Sequence, residues 1–217
     1  MTARQALRRA AADFYRQAWR LAVLNTVLAT MVLGVAAAAI SVPAAAVLVV
    51  LVGPLAAGVM YCAVTLAETD QLRLSDALVG VRRCWRRGAA LAAIIGAAGF
   101  AGSVAVRTYA NAGTWGWPLA ALAFYVLAIF GVLQLWLWPL AVAERERRLG
   151  LVFLDSVRAL TRRPLASLGL AAALTAVNLG GFVAAVVPLL TLTVAFSFLA
   201  AAHLALPELP RRDEWRA

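Results

Sequence analysis

Long apolar segments alternate with short arginine-rich segments along almost the whole chain. Three apolar blocks, at 21–66, 88–143 and 164–206, dominate the pattern. A bilayer core of about 30 Å takes about 20 apolar residues per helix, so each block is long enough for two crossings. The pattern therefore predicts an all-α polytopic membrane bundle of about six transmembrane helices.

The predicted spans lie at about 21–41, 43–67, 88–108, 118–143, 165–185 and 188–206. They form one integral membrane domain over 1–207, and 208–217 is predicted to be a short polar cytoplasmic tail. The small residues at 35–39 after a basic leader also resemble the end of a cleaved signal peptide. Because that leader is long and amphipathic and further spans follow, we interpret the first apolar segment as a transmembrane helix.

A single pattern of elements occurs three times along the chain. An amphipathic basic helix is followed by an apolar hairpin and then by a glutamate, which is Glu68, Glu144 or Glu208. The predicted units are about 1–68, 69–144 and 145–208. Divergent repeats explain the pattern, and so do three independent hairpins with similar flanking charge. We expect each glutamate to pair with a neighbouring arginine; a cytoplasmic ring of glutamates that binds a partner is the alternative.

The amphipathic segments are predicted to lie along the membrane surface, with apolar residues at helical spacing on one side. Thr2 and Gln5 predict a capping box at the start of the first, and Ser75 predicts the N-cap of the second. The expected apolar stripes are Leu7, Ala11, Phe14, Ala18 and Trp19, then Leu74, Leu78, Val81 and Trp85, then Leu149, Val152, Phe153, Val157 and Leu160. These stripes face lipid, or pack against the cytoplasmic ends of the spans, or do both in part.

Composition and charge agree with a membrane protein. Hydrophobic residues make up 64% of the 217, against the roughly 45–50% that is usual in soluble domains. The net charge is +10, and all twenty basic residues are arginine. Nineteen of them are predicted on one face, leaving Arg107 alone on the other. Such clustering predicts both termini in the cytoplasm of a bacterial inner membrane and contact with anionic lipid headgroups, rather than nucleic-acid binding.

Aromatic and basic side chains at the ends of the spans are the candidate contacts with the membrane surface or with a partner. They are Trp19, Arg20, Arg82, Arg83, Trp85, Arg86, Arg87, Arg162 and Arg163. Tryptophans are typical of both interfaces of a membrane protein. We expect Trp115 and Trp117 at the outer interface, and Trp136 and Trp138 toward the inner one with Trp19 and Trp85.

Few polar or helix-breaking residues occur within the spans. The candidates are Gly53, Pro54, Gln134, Asn178 and His203. We expect Gln134, Asn178 and also Asn25 to form hydrogen bonds between helices, with substrate contact as the alternative. A single histidine builds neither a metal site nor a catalytic triad, so His203 is predicted to serve packing or headgroup contact. Cys62 and Cys84 match no metal or redox spacing and are expected to be reduced.

A central part of the chain resembles the YesL-like family, bacterial membrane proteins that carry a domain of unknown function. The matching elements are Gly53-Pro54-Leu55-Ala56-Ala57, Tyr61, Glu68-Thr69-Asp70, the segment from Asp76 to Arg87, and the opening Phe14-Tyr15-Arg16-Gln17-Ala18-Trp19-Arg20-Leu21. The chain departs from the family at Trp85-Arg86-Arg87-Gly88, where members often have Asn-Phe-Lys-Gln. The resemblance implies an accessory role, because the family is often associated with sugar-uptake systems.

No phosphate loop, nucleophile elbow or zinc-protease motif occurs in the sequence, so we expect neither enzymatic activity nor a cofactor. The favoured function is a non-enzymatic accessory or scaffold component, serving a carbohydrate transport complex as the resemblance implies. The alternative is a small transporter or lipid-handling protein. Its cavity would then lie between the repeats, near Gly53-Pro54 and Gln134.

The charge pattern predicts the orientation of the chain in the membrane. A reporter that is active only outside the cytoplasm should be inactive after Ala217 and active when inserted beside Gly113. A reporter that is active only in the cytoplasm should give the reverse result. Export of the C-terminal fusion would contradict the predicted orientation.

Overall fold

The fold was obtained as a computed structural model, which describes residues 1–41, 47–144, 146–184 and 193–209. Within these ranges the regular secondary structure is helical, with no strand. The helices are α1 (Ala3–Arg16), α2 (Ala18–Ser41), α3 (Val49–Thr69), α4 (Leu74–Ala110), α5 (Gly116–Ala143), α6 (Leu149–Arg162), α7 (Pro164–Ala184) and α8 (Val194–Ala205), followed by a 3-10 turn at Leu206–Glu208.

Five of these helices are long and apolar enough to cross a membrane, which confirms the all-α class and agrees with a multi-pass membrane protein. They are α2, α3, α4, α5 and α7. The sixth predicted span, 188–206, is described only from residue 193 onward, where α8 covers its second half. The predicted turns at 41–43 and near 188 lie largely outside the described residues. Pro164 begins α7, where its missing N–H costs no hydrogen bond.

Three helices form the centre of the molecule, and each is buried on all sides over its last turns. The buried stretches run from Ala56 to Leu66 in α3, from Trp136 to Ala143 in α5 and from Leu199 to Ala205 in α8. These three helices pack against one another, and α1, α2, α4, α6 and α7 surround them. In the apolar stretch of α3, 67% of the residues are buried, against 22% or fewer in the other four long helices. Helix α3 is therefore enclosed by protein, whereas the other four long helices leave most of their apolar surface exposed.

The tightest helix crossing joins α3 to α4. A Cβ atom built at Gly53 would overlap the backbone carbonyl of Gly88, and a Cβ at Gly88 would overlap that of Gly53. Helices in membranes associate closely where glycines let the backbones approach. Helix α3 also continues through Pro54. The predicted interruption at Gly53-Pro54 is therefore wrong, and this position is a packed crossing rather than part of a cavity.

Helix α4 is a single helix of 37 residues, about 55 Å long at 1.5 Å per residue. The predicted surface helix and the third span are thus one continuous element. Its N-cap is Arg73 rather than the predicted Ser75, because the Arg73 backbone N–H donates to Asp76 Oδ2 at 3.0 Å. The capping box at Thr2 and Gln5 is confirmed, with its two hydrogen bonds at 3.0 and 3.3 Å.

The glycine crossing predicts a position-specific cost of one added methyl group. Gly53→Ala and Gly99→Ala gain the same helix propensity, but a Cβ at Gly99 meets no described atom within 4 Å. Overpacking costs about 1–3 kcal/mol. We therefore expect Gly53→Ala to unfold several degrees below Gly99→Ala in a thermal scan in detergent. Equal midpoints for the two variants would contradict the crossing.

Candidate functional site: the arginine-rich helix ends

In each proposed hairpin, an arginine at the start of the first apolar segment contacts the chain at the end of the second helix. Arg20, near the start of α2, donates from Nη1 to the backbone oxygen of Leu72 at 2.6 Å, just after α3. The same Nη1 donates to Gln17 Oε1 at 2.8 Å. The first hairpin is therefore tied together at its open end.

The second hairpin is closed by Arg87 in the same way. Its Nη1 donates to the backbone oxygens of Ala141 at 3.1 Å and Glu144 at 2.5 Å, and its Nη2 donates to that of Arg147. The last carbonyls of a helix have no partner within the helix, and cations are favourable at this negative end of the dipole. One guanidinium therefore satisfies the C-terminal end of α5 and orders the turn after it.

In the third hairpin the arginine partner is a carboxylate instead of a carbonyl. Glu208 pairs with Arg163 at 3.2 Å and lies 3.9 Å from Arg162. Glu144 pairs with Arg147 at 2.9 Å, and this hydrogen bond raises the pKa of the Arg147 guanidinium. The predicted pairing of the glutamates with neighbouring arginines is thus confirmed for Glu144 and Glu208.

These charges border a small cleft of about 200 Å³ beside the ends of α5 and α6. Arg147 and Arg158 both pair there with Asp155, at 2.8 and 3.0 Å. Three arginines and three carboxylates line the cleft, in Glu144, Arg147, Asp155, Arg158, Arg162 and Glu208. Because the charges are balanced and mutually paired, we interpret the cleft as a structural ion-pair network.

The amphipathic segments place small residues against the core and large apolar residues outside. The buried positions are Ala6, Ala10 and Asp13 in α1, Gly80 and Cys84 in α4, and Val152, Ser156 and Ala159 in α6. Trp19 is 60% exposed, Leu78 66% and Trp85 52%. The predicted stripes therefore pack against the core only in part: Leu7, Phe14, Leu149, Val152 and Leu160 do so, whereas Trp19, Leu78 and Trp85 are exposed. Close approach to the central helices selects small side chains.

The candidate surface residues Trp19 and Trp85 are thus large, apolar and exposed, and each lies beside an arginine. The Arg20 guanidinium lies 5.2 Å from the centroid of the Trp19 ring, and Arg86 lies 5.2 Å from that of Trp85. Arg82, Arg83 and Arg162 are also exposed. An exposed aromatic ring beside a guanidinium suits the headgroup region of a membrane.

The expected tryptophan belts are present only in part. Trp115 is 92% exposed and Trp117 64%, as expected at an interface. Trp136 and Trp138 are buried by neighbouring helices, so they do not contribute to an exposed belt. Trp136 Nε1 donates to Ser167 Oγ at 2.9 Å, which joins α5 to α7 and satisfies the buried indole.

A buried carboxylate–imidazole pair joins the first helix to the last. His203 Nε2 lies 2.8 Å from Asp13 Oδ2, and both residues are buried. The pair fixes α1 on α8, beside an edge-to-face contact of Phe14 with Phe196 at 6.0 Å. The burial of Asp13 has no signal in the sequence, because a carboxylate among arginines on a basic helix is usually solvated. Only the position of His203, 190 residues away, explains its burial.

Two of the three predicted interhelical amide hydrogen bonds are present. Asn25 Oδ1 accepts from the Ala195 N–H at 2.7 Å, and Asn178 Nδ2 donates to Ser197 Oγ at 2.9 Å. Gln134 Nε2 instead donates to Phe130 within α5, at 3.2 Å. The prediction is wrong for Gln134, whose Oε1 has no hydrogen-bond partner among the described residues.

The cysteines Cys62 and Cys84 are both buried and unbonded to each other. In the described part of the chain, no three His, Cys, Asp or Glu side chains are grouped as metal ligands would be. Comparison of the chain with family models, with curated proteins and with solved structures finds no match. The resemblance to the YesL-like family stays a prediction.

The buried pair predicts strong energetic coupling between Asp13 and His203. Removing one partner leaves the other buried alone, so the destabilisations caused by Asp13→Ala and His203→Ala should together exceed that of the double variant. We expect a coupling of about 1–3 kcal/mol in a double-mutant cycle on unfolding by denaturing detergent.

The exposed pair Asp155 and Arg158 supplies the matched control, since it also joins opposite charges. Its coupling should be several-fold smaller, because water screens it. Additive effects at Asp13 and His203 would show that their contact does not hold α1 in place.

Proposed function

We propose that the chain is a non-enzymatic accessory or scaffold component of a bacterial inner membrane, with both termini in the cytoplasm. It engages anionic lipid headgroups and a protein partner through its basic face. The observation that carries this proposal is the exposure of Trp19, Leu78 and Trp85 beside arginines. A helix that serves only to cover a core would turn such large side chains inward.

Six spans in three units form part of the same proposal. The support is that α3, α5 and α8, each the second helix of a proposed hairpin, are buried over their last turns. In addition, each hairpin is closed by an arginine at the start of the first apolar segment, namely Arg20, Arg87 or Arg163. Independent hairpins would not be expected to share both features.

A structural role also suits the way in which buried polar groups are used. Asp13, Asn25, Asn178 and His203 all join one helix to another. Their hydrogen-bonding capacity is thus directed to fixing the arrangement of helices. The resemblance to the YesL-like family adds a carbohydrate transport complex as the proposed partner.

A lipid-handling or transport function is the second candidate. The observation in its favour is an open groove of about 830 Å³ between α5 and α7. The groove lies between the second and third proposed units, as that candidate requires. It does not include the two places where the sequence led us to expect a cavity, Gly53-Pro54 and Gln134.

Charge reversal on one face tests the accessory function. We expect Arg82→Glu with Arg86→Glu to reduce at least fivefold the recovery of transport-complex subunits after cross-linking in intact cells and mild extraction. Arg107→Glu, which changes the arginine predicted on the opposite face, is the matched control and should leave recovery unchanged. The amounts of the natural chain, the double variant and the control variant in the membrane fraction show whether all three insert equally.

The headgroup contact is measured separately with synthetic peptides. Binding of peptides that span residues 74–90 to vesicles should require anionic lipid and should fall with the same charge reversal. Equal partner recovery with every variant, or recovery of the protein alone under varied extraction, would contradict the accessory function.

A further inference from the structure

An open groove of about 830 Å³ lies between α5 and α7, within the apolar part of the molecule. Gly131 and Leu135 of α5 face Leu168, Ala172 and Thr175 of α7, and Ser197 of α8 lies among the lining residues. The small side chains create the hollow, and the leucines form its walls. None of the described lining residues is charged.

Helix geometry places the groove in the middle of the bilayer. At 1.5 Å per residue, its lining on α7 runs from about 6 to about 22 Å beyond Pro164. On α5 the lining begins about 12 Å before Ala143 and also ends about 22 Å from it. Two antiparallel helices thus give consistent depths, which include the midplane of a hydrocarbon core about 30 Å thick.

The side chains of Asn178 and Ser197 in the groove form hydrogen bonds within the protein. Asn178 Nδ2 donates to the Leu174 carbonyl at 2.8 Å and to Ser197 Oγ at 2.9 Å, and Ser197 Oγ donates to the Thr193 carbonyl at 2.8 Å. The surface presented to an occupant is therefore mainly apolar. Water is a poor occupant of such a surface, and an empty groove loses the contacts of its lining.

We propose that this groove binds one acyl chain of a phospholipid from the surrounding bilayer, which enters sideways between α5 and α7. The lateral opening, the apolar walls and the depth of the groove together favour an alkyl chain. Its affinity comes from contact with the walls, and no headgroup recognition is required. The inference deepens the second candidate function and is independent of the accessory function.

A photoreactive lipid tests the site. The purified protein is placed in phosphatidylethanolamine and phosphatidylglycerol bilayers that contain a phospholipid with a diazirine in the middle of one acyl chain. After illumination, mass spectrometry locates the adducts. We expect adducts to be enriched on the α5 and α7 residues that line the groove, relative to the exposed apolar face of α4.

Gly131→Leu fills the groove with little strain, because a Cβ at Gly131 meets no described atom within 4 Å. It should lower the groove adducts at least fivefold. Gly99→Leu is the matched control, since Gly99 is equally open and lies outside the groove. If Gly131→Leu fails to insert, Ala172→Leu on the facing wall replaces it.

Adducts spread evenly over all exposed apolar helices would overturn the proposal, as would groove adducts that Gly131→Leu leaves unchanged. The absence of lipid adducts from the groove residues would equally overturn it. The charge-reversal experiment measures partner recovery, and its result does not depend on lipid adducts in the groove. The two proposals therefore fail separately.

Discussion

Backbone carbonyls at the ends of apolar helices are the groups on which this structure depends most. Within a bilayer a helix satisfies its own amides, but its last carbonyls need partners from elsewhere. Arg87 provides three of the bonds at the end of α5, and Arg20 reaches the chain after α3. The arginines that orient the chain in the predicted membrane thus also close its hairpins. The same side chains carry the charge pattern and join the two ends of each hairpin.

The closed hairpins bring three apolar helices together. The helices that pack beside them must then present small side chains at the contact. Glycine and alanine allow α4 and α1 to approach α3 and α8 closely, as the crossing at Gly53 and Gly88 shows. Large side chains such as Trp85 are consequently displaced to the outside. The exposed aromatic surface is in this sense a result of how the core packs. The pair of Asp13 and His203 then fixes α1 in its place.

Features set by neighbouring residues were predictable from the sequence. Apolar length predicted the long helices, the spacing of Thr2 and Gln5 predicted a capping box, and the charge pattern predicted the pairing of Glu144 with an arginine. Features set by distant residues were not. Hydropathy treats a large apolar residue as the buried one, whereas α4 buries Gly80 and exposes Leu78. Likewise, neither the burial of Asp13 nor the groove beside Gly131 has a local signal, because each depends on helices far along the chain.

The two cysteines have a practical consequence. Cys62 in α3 and Cys84 in α4 are both enclosed by the central packing. A thiol needs access to a reagent before it can be alkylated, and structural buried cysteines are inert. The natural chain therefore offers a nearly silent background in which a single introduced thiol, placed at any exposed position, would carry a spin label or a fluorophore alone.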